Sequence, residues 1–453
     1  MKASNEYYLA EATPTRAVLH MCLPMLAAMA VNVLANLVDA FFIGQLGKAE
    51  ALAAVALALP FMAVVMAFGD LVGTGSATLI ARLLGSHEVP RARQASATST
   101  ACALILGTVL GLGVLACLEP LCRLLGARGD TLAPTMTYIG ILAAGTPLSL
   151  TSFVLDQNVR AEGASKASAR AAIISTCANV AFDALFILGL NGGVAGAALA
   201  TDLSWAVMIA YLLVAQRSCR AQSLRPRDVR FELPLLKAML GVGFSGFALA
   251  LMLAVSSWLL DFLAASYSTE AVAALGIALR IENLIGLFAI AFGQGAIPLF
   301  AFAYAAGATK RLHALLRTTL GIMFGALGIG ALVLLGGAAP LVGIFSTDPQ
   351  VIAIGQLAVG AFVLASVLSA GSDFVLGVLQ SFGKAAPAAA LPVARGVLLV
   401  VCYLVGNATW GLPGLLGAGV VAEACSLGIA LGFLPMLRAS MNAAPPCKAR
   451  AVE

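Results

Sequence analysis

Twelve apolar stretches divide this chain, each long enough to cross about 30 Å of hydrocarbon as a helix. They fall at 17–43, 51–84, 95–118, 132–159, 169–189, 194–215, 236–263, 271–305, 314–338, 351–382, 386–406 and 414–437. Lipid offers no partner for backbone N–H and C=O groups, so such stretches must be helices packed side by side. Composition agrees. The 453 residues are 61% hydrophobic and 10% charged, whereas soluble domains carry about 25% charged residues. The expected fold class is therefore an all-α polytopic membrane protein with twelve transmembrane helices. The longest stretches imply tilt or extension beyond the bilayer. Pro24, inside the first, should bend it. Glu6 and Glu11 interrupt the first twenty residues, so no cleavable signal peptide is expected.

Basic residues set the orientation. With both termini placed inside, 21 of the 26 Lys and Arg fall on the cytoplasmic side. Lys48, Arg123 and Arg128 fall on the other, and Arg280 and Arg395 remain at membrane depth. This bias predicts a multi-pass protein of the cell (inner) membrane with cytoplasmic termini. The net charge of +5 resides in those loops and implies no nucleic-acid partner. The longest polar stretch, 217–237, is read as a cytoplasmic linker. It separates an N-lobe (1–216, helices 1–6) from a C-lobe (238–440, helices 7–12), with a cytoplasmic tail at 441–453.

The two halves are related by an offset of 220 residues. Glu50-Ala51-Leu52-Ala53-Ala54 matches Glu270-Ala271-Val272-Ala273-Ala274, and Gly73-Thr74-Gly75 matches Gly293-Gln294-Gly295. Arg91 pairs with Arg311, Pro120 with Pro340, Gly140 with Gly360 and Gly163 with Gly383. Six is an even number of crossings, so both repeats run the same way about an axis along the membrane normal. Parallel repeats flanking a cleft are a transporter architecture.

Function is sought in the carboxylates of the spans: Asp39, Asp70, Asp156, Asp183, Asp202, Asp261, Glu282, Asp373 and Glu423. A charged side chain at mid-bilayer costs about 2.5–3.5 kcal/mol on insertion scales and faces protein or a wet cavity. Asn179 and Asp183, four apart, share one face of helix 5. At about 1.5 Å per residue, Asp183 and Thr201 each lie roughly 10 Å below the outer ends of helices 5 and 6. Asp39 lies at the same level in the outer half of helix 1. If these helices are neighbours, Asp39, Asn179, Asp183 and Thr201 form one oxygen-rich cage for a proton or sodium ion. Adjacent Asp202 sits about 100° round its helix, and a helix-packing role is as good a reading for it.

The second half lacks a copy of that cage. Asp183 aligns with Tyr403, whereas Glu423 aligns with Asp202 and Asp261 falls near the mate of Asp39. Arg280 and Glu282 are expected to pair with Asp261 or Asp373 in a structural network. Asp156 and Asp373, near the inner ends of helices 4 and 10, are gate or drug-contact candidates. Gly241-Val242-Gly243-Phe244-Ser245-Gly246 fits the dinucleotide fingerprint in letters only. It opens a membrane helix with no preceding strand, so it is read as a small-residue packing face. The nine cysteines, mostly in apolar runs (Cys22, Cys102, Cys177, Cys402, Cys425), and the histidines His20, His87 and His313 show no metal-site spacing. No phosphate-binding lysine loop, paired-aspartate prenyl-transfer motif, Gly-x-Gly-Asp or His-rich site is present. ATP-driven transport by this chain alone and intramembrane enzymology are therefore disfavoured, and no cofactor is expected.

The residues resemble the multidrug and toxic compound extrusion (MATE) transporters over nearly the whole chain. The resemblance is carried by Val38-Asp39-Ala40-Phe41-Phe42-Ile43-Gly44-Gln45-Leu46-Gly47, Arg160-Ala161-Glu162-Gly163 and Gln380-Ser381-Phe382-Gly383-Lys384. It implies a V-shaped pair of lobes with alternating access. It also implies an N-lobe cation site at Asp39, Asn179, Asp183 and Thr201, with Pro24 as the bending proline of helix 1. The branch that binds sodium in its C-lobe uses a glutamate early in helix 7, where this sequence has only Leu and Ala near Met252. Coupling is accordingly expected in the N-lobe. The expected activity is antiport of a proton or sodium against amphipathic, cationic organic compounds, with Asp202, Asp156, Asp261 and Asp373 as lesser substrate-pathway candidates. Expected partners are small organic cations or drugs and the lipid bilayer, and the chain is expected to act as a monomer. The alternative within the superfamily is a lipid-linked precursor flippase, which normally has a cationic cavity and about fourteen helices.

Overall fold

The computed structural model describes residues 5–44, 49–223 and 225–442, with the side chains of 36, 37, 39–41, 43, 44, 49 and 218 left out. Lys2, Lys48, Lys448 and Arg450 of the charge pattern, the tail after 442 and the Asp39 side chain therefore lie outside the described residues. Among the described residues the regular structure is helical throughout. The spans are α1 (Pro14–Gly44), α2 (Ala49–Gly85), α3 (Val89–Ala116), α4 (Leu132–Ala161), α5 (Ser165–Asp183), α6 (Gly193–Ala215), α7 (Leu233–Ala264), α8 (Thr269–Gly295), α9 (Thr309–Gly336) and α10 (Pro349–Ser381). The last helical stretch, Ala385–Gly432, is broken at Gly411 (φ 62°, ψ −140°). Only glycine enters that region without strain, and Pro413 cannot continue the preceding turn. The stretch is thus two spans, α11 (385–410) and α12 (412–432), which brings the count to twelve. Several spans start before their apolar stretch. Pro90, Arg91 and Arg93 already belong to α3, for example, because helical extension outside the membrane needs no apolar side chains.

The spans sort into two bundles. In one, α1 packs on α5, α5 on α6, α6 on α4, and α4 on α2 and α3; in the other, α10 joins α8, α9 and the α11–α12 pair, which packs on α7. The bundles cross at two equivalent places, α2 with α7 and α1 with α8. At the first crossing the backbones nearly touch. A Cβ on Gly75 would sit 2.0 Å from the Met239 carbonyl oxygen, and one on Gly243 would sit 1.7 Å from that of Leu71. At the second, Gly295, the repeat mate of Gly75, seats Cys22, whose Sγ would lie 3.2 Å from an added Cβ. The glycine-rich run 241–246 is therefore a packing face between bundles, as expected for small residues in lipid.

The crossings continue toward the end of the bundle that carries the basic turns. Gly85 lies under the Phe302 carbonyl, and the Arg82 guanidinium occupies the space beside Gly383. The short helix Asn5–Ala10 straps this end. The Arg311 guanidinium donates to the Tyr8, Leu9 and Ala12 carbonyls at 3.1, 3.1 and 2.7 Å, satisfying groups that a helix C-terminus leaves orphaned. Glu6 pairs with Arg220 at 2.5 Å, and the Tyr8 ring stacks on His20.

Glu162, in the turn after α4, accepts from the Arg220 and Ala221 backbone N–H groups at 2.6 and 3.0 Å. Burial nevertheless pushes its carboxyl above the usual 4.5, because desolvation of the charged form outweighs those bonds. An acid whose pKa is raised by folding binds its proton more tightly in the native state. Its contribution is present below pH 4.5 and is lost as pH rises through the folded value. Glu162→Gln should therefore unfold with a flatter pH dependence above pH 4.5 than wild type in thermal scans. An unchanged slope would contradict this.

Candidate cation site and central cavity

Phe42 at the outer end of α1, Ile187 just beyond α5 and Ala197 on α6 pack in one apolar cluster with Val55 and Tyr138. The sequence-predicted residues lie one helical turn inward of these anchors. Position 39 is three before Phe42, Asp183 is four before Ile187, and Thr201 is four after Ala197. One turn rises about 5.4 Å, so the three helices present these positions at a common depth. The Asp39 side chain lies outside the described residues. Asp183 is buried, with 2% exposure. Asn179 sits one turn further in, and its buried Nδ2 finds no hydrogen-bond partner among the described residues. The Thr201 hydroxyl donates to the Ala197 carbonyl at 3.1 Å, and its oxygen lone pairs find no donor among the described residues.

Directly after Asp183 the chain widens into a π-helical turn, Ala184–Gly189. Such turns break the i→i−4 ladder and recur at functional sites. No sequence signal marked it.

Asp202 turns away from Thr201 toward α4. Its carboxylate occupies the space above Gly145, where an added Cβ would lie 2.0–2.2 Å from Oδ1, Cγ and Oδ2. Gly145→Ala should therefore force α4 and α6 apart and destabilise the protein by about 1–3 kcal/mol, the usual cost of overpacking. Gly145→Ala combined with Asp202→Ala should recover most of the loss in thermal unfolding. Equal melting of single and double variants would contradict the contact.

A cavity of about 650 Å³ lies between the bundles, mainly against α7, α8, α10 and α11. Gly246, in contact with Asp70 and Thr74 of α2, is part of its floor at the α2–α7 crossing. Its wall carries four carboxylates, Asp70, Glu282, Asp373 and Glu423, against two guanidiniums, Arg160 and Arg395. Asp70 accepts from the Thr74 hydroxyl at 3.2 Å, and Glu282 accepts from Ser366. Arg395 bridges Asp373 at 2.7 Å and Glu423 at 2.9 Å.

The pairing expected from sequence is corrected here. Arg280 is exposed, as is Asp261 near the far end of α7, and Asp373 is taken by Arg395 instead. The helical turn explains it. Arg280 points away from the cavity, while Glu282, about 200° further round α8, faces in. Asp156 pairs with Arg160 at 3.3 Å on its own helix. Asp70 and Arg395 received no role from sequence. A single arginine in an apolar helix signals a carboxylate partner, but only packing identified which.

The family model MatE matches the chain twice, at residues 24–185 and 243–404, once in each half. The chain belongs to the MatE family. Relatives of this MatE chain include a multidrug export protein MepA of Staphylococcus haemolyticus, 27% identical over 97% of both chains. A MepA of Staphylococcus aureus is also 27% identical, over 94% of this chain and 95% of its own length. Among solved structures, a MATE in the straight conformation superposes with a TM-score of 0.90 at 22% identity, covering 98% of this chain and 100% of that one. An outward-facing multidrug resistance MATE transporter of the MOP superfamily gives 0.89 at 22% identity, with the same coverage. The MatE fold, twelve helices in two repeated lobes, is thereby established.

Proposed function

We propose that this MatE chain is a secondary active antiporter that exports amphipathic, cationic organic compounds in exchange for protons or sodium. The observation that carries the reading is a cavity whose carboxylates outnumber its guanidiniums four to two, set in an otherwise apolar bundle. A desolvated negative wall favours positive ligands, and the MepA relatives are named multidrug exporters. Nothing in the proposal calls for an enzyme or a bound cofactor.

The coupling ion is assigned to Asp39, Asn179, Asp183 and Thr201. Asp39 and Asp183 take the charge change, while Asn179 and Thr201 supply neutral oxygens. Pro24 leaves a carbonyl of α1 without its helical N–H partner, so this helix is the one to repack when the charge changes. The basic end and both termini are placed in the cytoplasm of the inner membrane, with 217–237 as the linker between lobes and the monomer as the working unit. The close crossings then seal the cytoplasmic side, and the cavity belongs to an outward-facing state. The same acidic wall disfavours a lipid-linked anionic precursor.

The test is uptake of tetraphenylphosphonium into proteoliposomes under an imposed pH or sodium gradient. Accumulation driven by one of the two gradients supports antiport. Uptake no greater than in protein-free liposomes under both would overturn it.

A further inference from the structure

We propose that Arg395 is a built-in cation that keeps the place of a cationic substrate at Asp373. The inference rests on the transport reading and assigns its substrate contact. The guanidinium joins two unequal carboxylates: the Glu423 side chain is 6% exposed, whereas that of Asp373 is 35% exposed. Arg395 itself is 9% exposed. Glu423 is thus the covered anchor and Asp373 the face that ligands reach from the cavity. Two carboxylates and one guanidinium leave one negative charge, so the triad has room for one more positive charge. The buried Oε2 of Glu423 finds no hydrogen-bond partner among the described residues, an independent sign of an incomplete site.

The repeat supplies a second argument. At the 220-residue offset Arg395 corresponds to Ser175, and at 221 Glu423 corresponds to Asp202. Ser175 donates to the Ser204 carbonyl at 2.8 Å. The C-lobe therefore carries its own tethered cation at a place where the N-lobe carries none. A mobile ion is needed in one lobe, and in the other a mobile cation must compete with a fixed one.

That competition defines the substrate class. An organic monocation pairs with Asp373 while Arg395 stays on Glu423 through Nε. When the cavity reopens, the guanidinium returns and displaces the cation. Because the competitor is tethered, apparent affinity is reduced by the fraction of time Asp373 is occupied. Uncharged amphipaths form no ion pair with Asp373, so its charge does not hold them.

The test uses the full chain, with tetraphenylphosphonium as monocation and triphenylphosphine oxide as uncharged counterpart. Equilibrium binding is measured in detergent without an ion gradient, and initial rates in proteoliposomes. Arg395→Gln should bind the monocation about tenfold more tightly and release it more slowly, lowering KM and kcat together. Arg395→Lys should return towards wild type, and Asp373→Asn should weaken monocation binding by about tenfold. Triphenylphosphine oxide, which has no charge to pair with Asp373, should not gain affinity in Arg395→Gln and should bind Asp373→Asn as it binds wild type. Should Arg395→Gln misfold, the charged-to-uncharged contrast in Asp373→Asn decides alone. Monocation affinities within twofold of wild type in Arg395→Gln and Asp373→Asn, or equal changes for the uncharged compound, would overturn the role of Arg395 but not transport. Wild type that binds no monocation would overturn both.

Discussion

Asp183→Asn should abolish gradient-driven accumulation while leaving substrate binding intact. An amide of the same shape keeps the packing under Ile187 but exchanges no charge. One pH unit, or a tenfold sodium gradient, is worth about 1.4 kcal/mol per ion exchanged, a tenfold substrate ratio. In proteoliposomes the accumulation ratio should fall from about ten towards one, with tetraphenylphosphonium binding in detergent unchanged. The binding measurement separates lost coupling from a misfolded protein, since Asp183 is buried and its replacement has a structural cost. Accumulation by Asp183→Asn equal to that of wild type would remove the N-lobe site from the mechanism.

Gly243→Ala should be the most disruptive glycine-to-alanine change among the described residues. The added carbon would lie 1.7 Å from the Leu71 carbonyl oxygen, a backbone atom with no rotamer to retreat into. Relief requires α2 and α7 to separate along the floor of the cavity, where Gly75 meets Met239 one turn away. Overpacking of this kind costs about 1–3 kcal/mol. Gly325→Ala in α9 is the control, because its Cβ meets nothing within 4 Å. Helix propensity there favours alanine by about 1 kcal/mol, so the two variants should shift melting in opposite directions. Identical melting of the two variants would show that the crossing is not close-packed.

Much of this was legible from residues alone because lipid is an undemanding reader. A segment must be apolar, long enough and internally hydrogen-bonded, so twelve spans, the repeat offset and the charge bias all register in composition and spacing. Depth was legible for the same reason, since a fixed rise per residue puts Asp183 and Thr201 about one turn inward of Ile187 and Ala197, with Asn179 a further turn in. The Gly411 break was legible as a short gap between apolar runs. What periodicity does not encode is azimuth between helices. Arg280 and Arg395 look alike as isolated arginines in apolar helices, yet one points outward and the other bridges Asp373 and Glu423.

The sequence by itself therefore determined the number and length of the helices and their pairing into two repeats, since each follows from one segment meeting the bilayer. Only the tertiary structure decided which carboxylates share a cavity, that Asp202 rests on Gly145, and that glycines 75 and 243 bring two lobes into backbone contact. Those facts depend on how helices distant in the chain rotate against one another, and that rotation is set by packing.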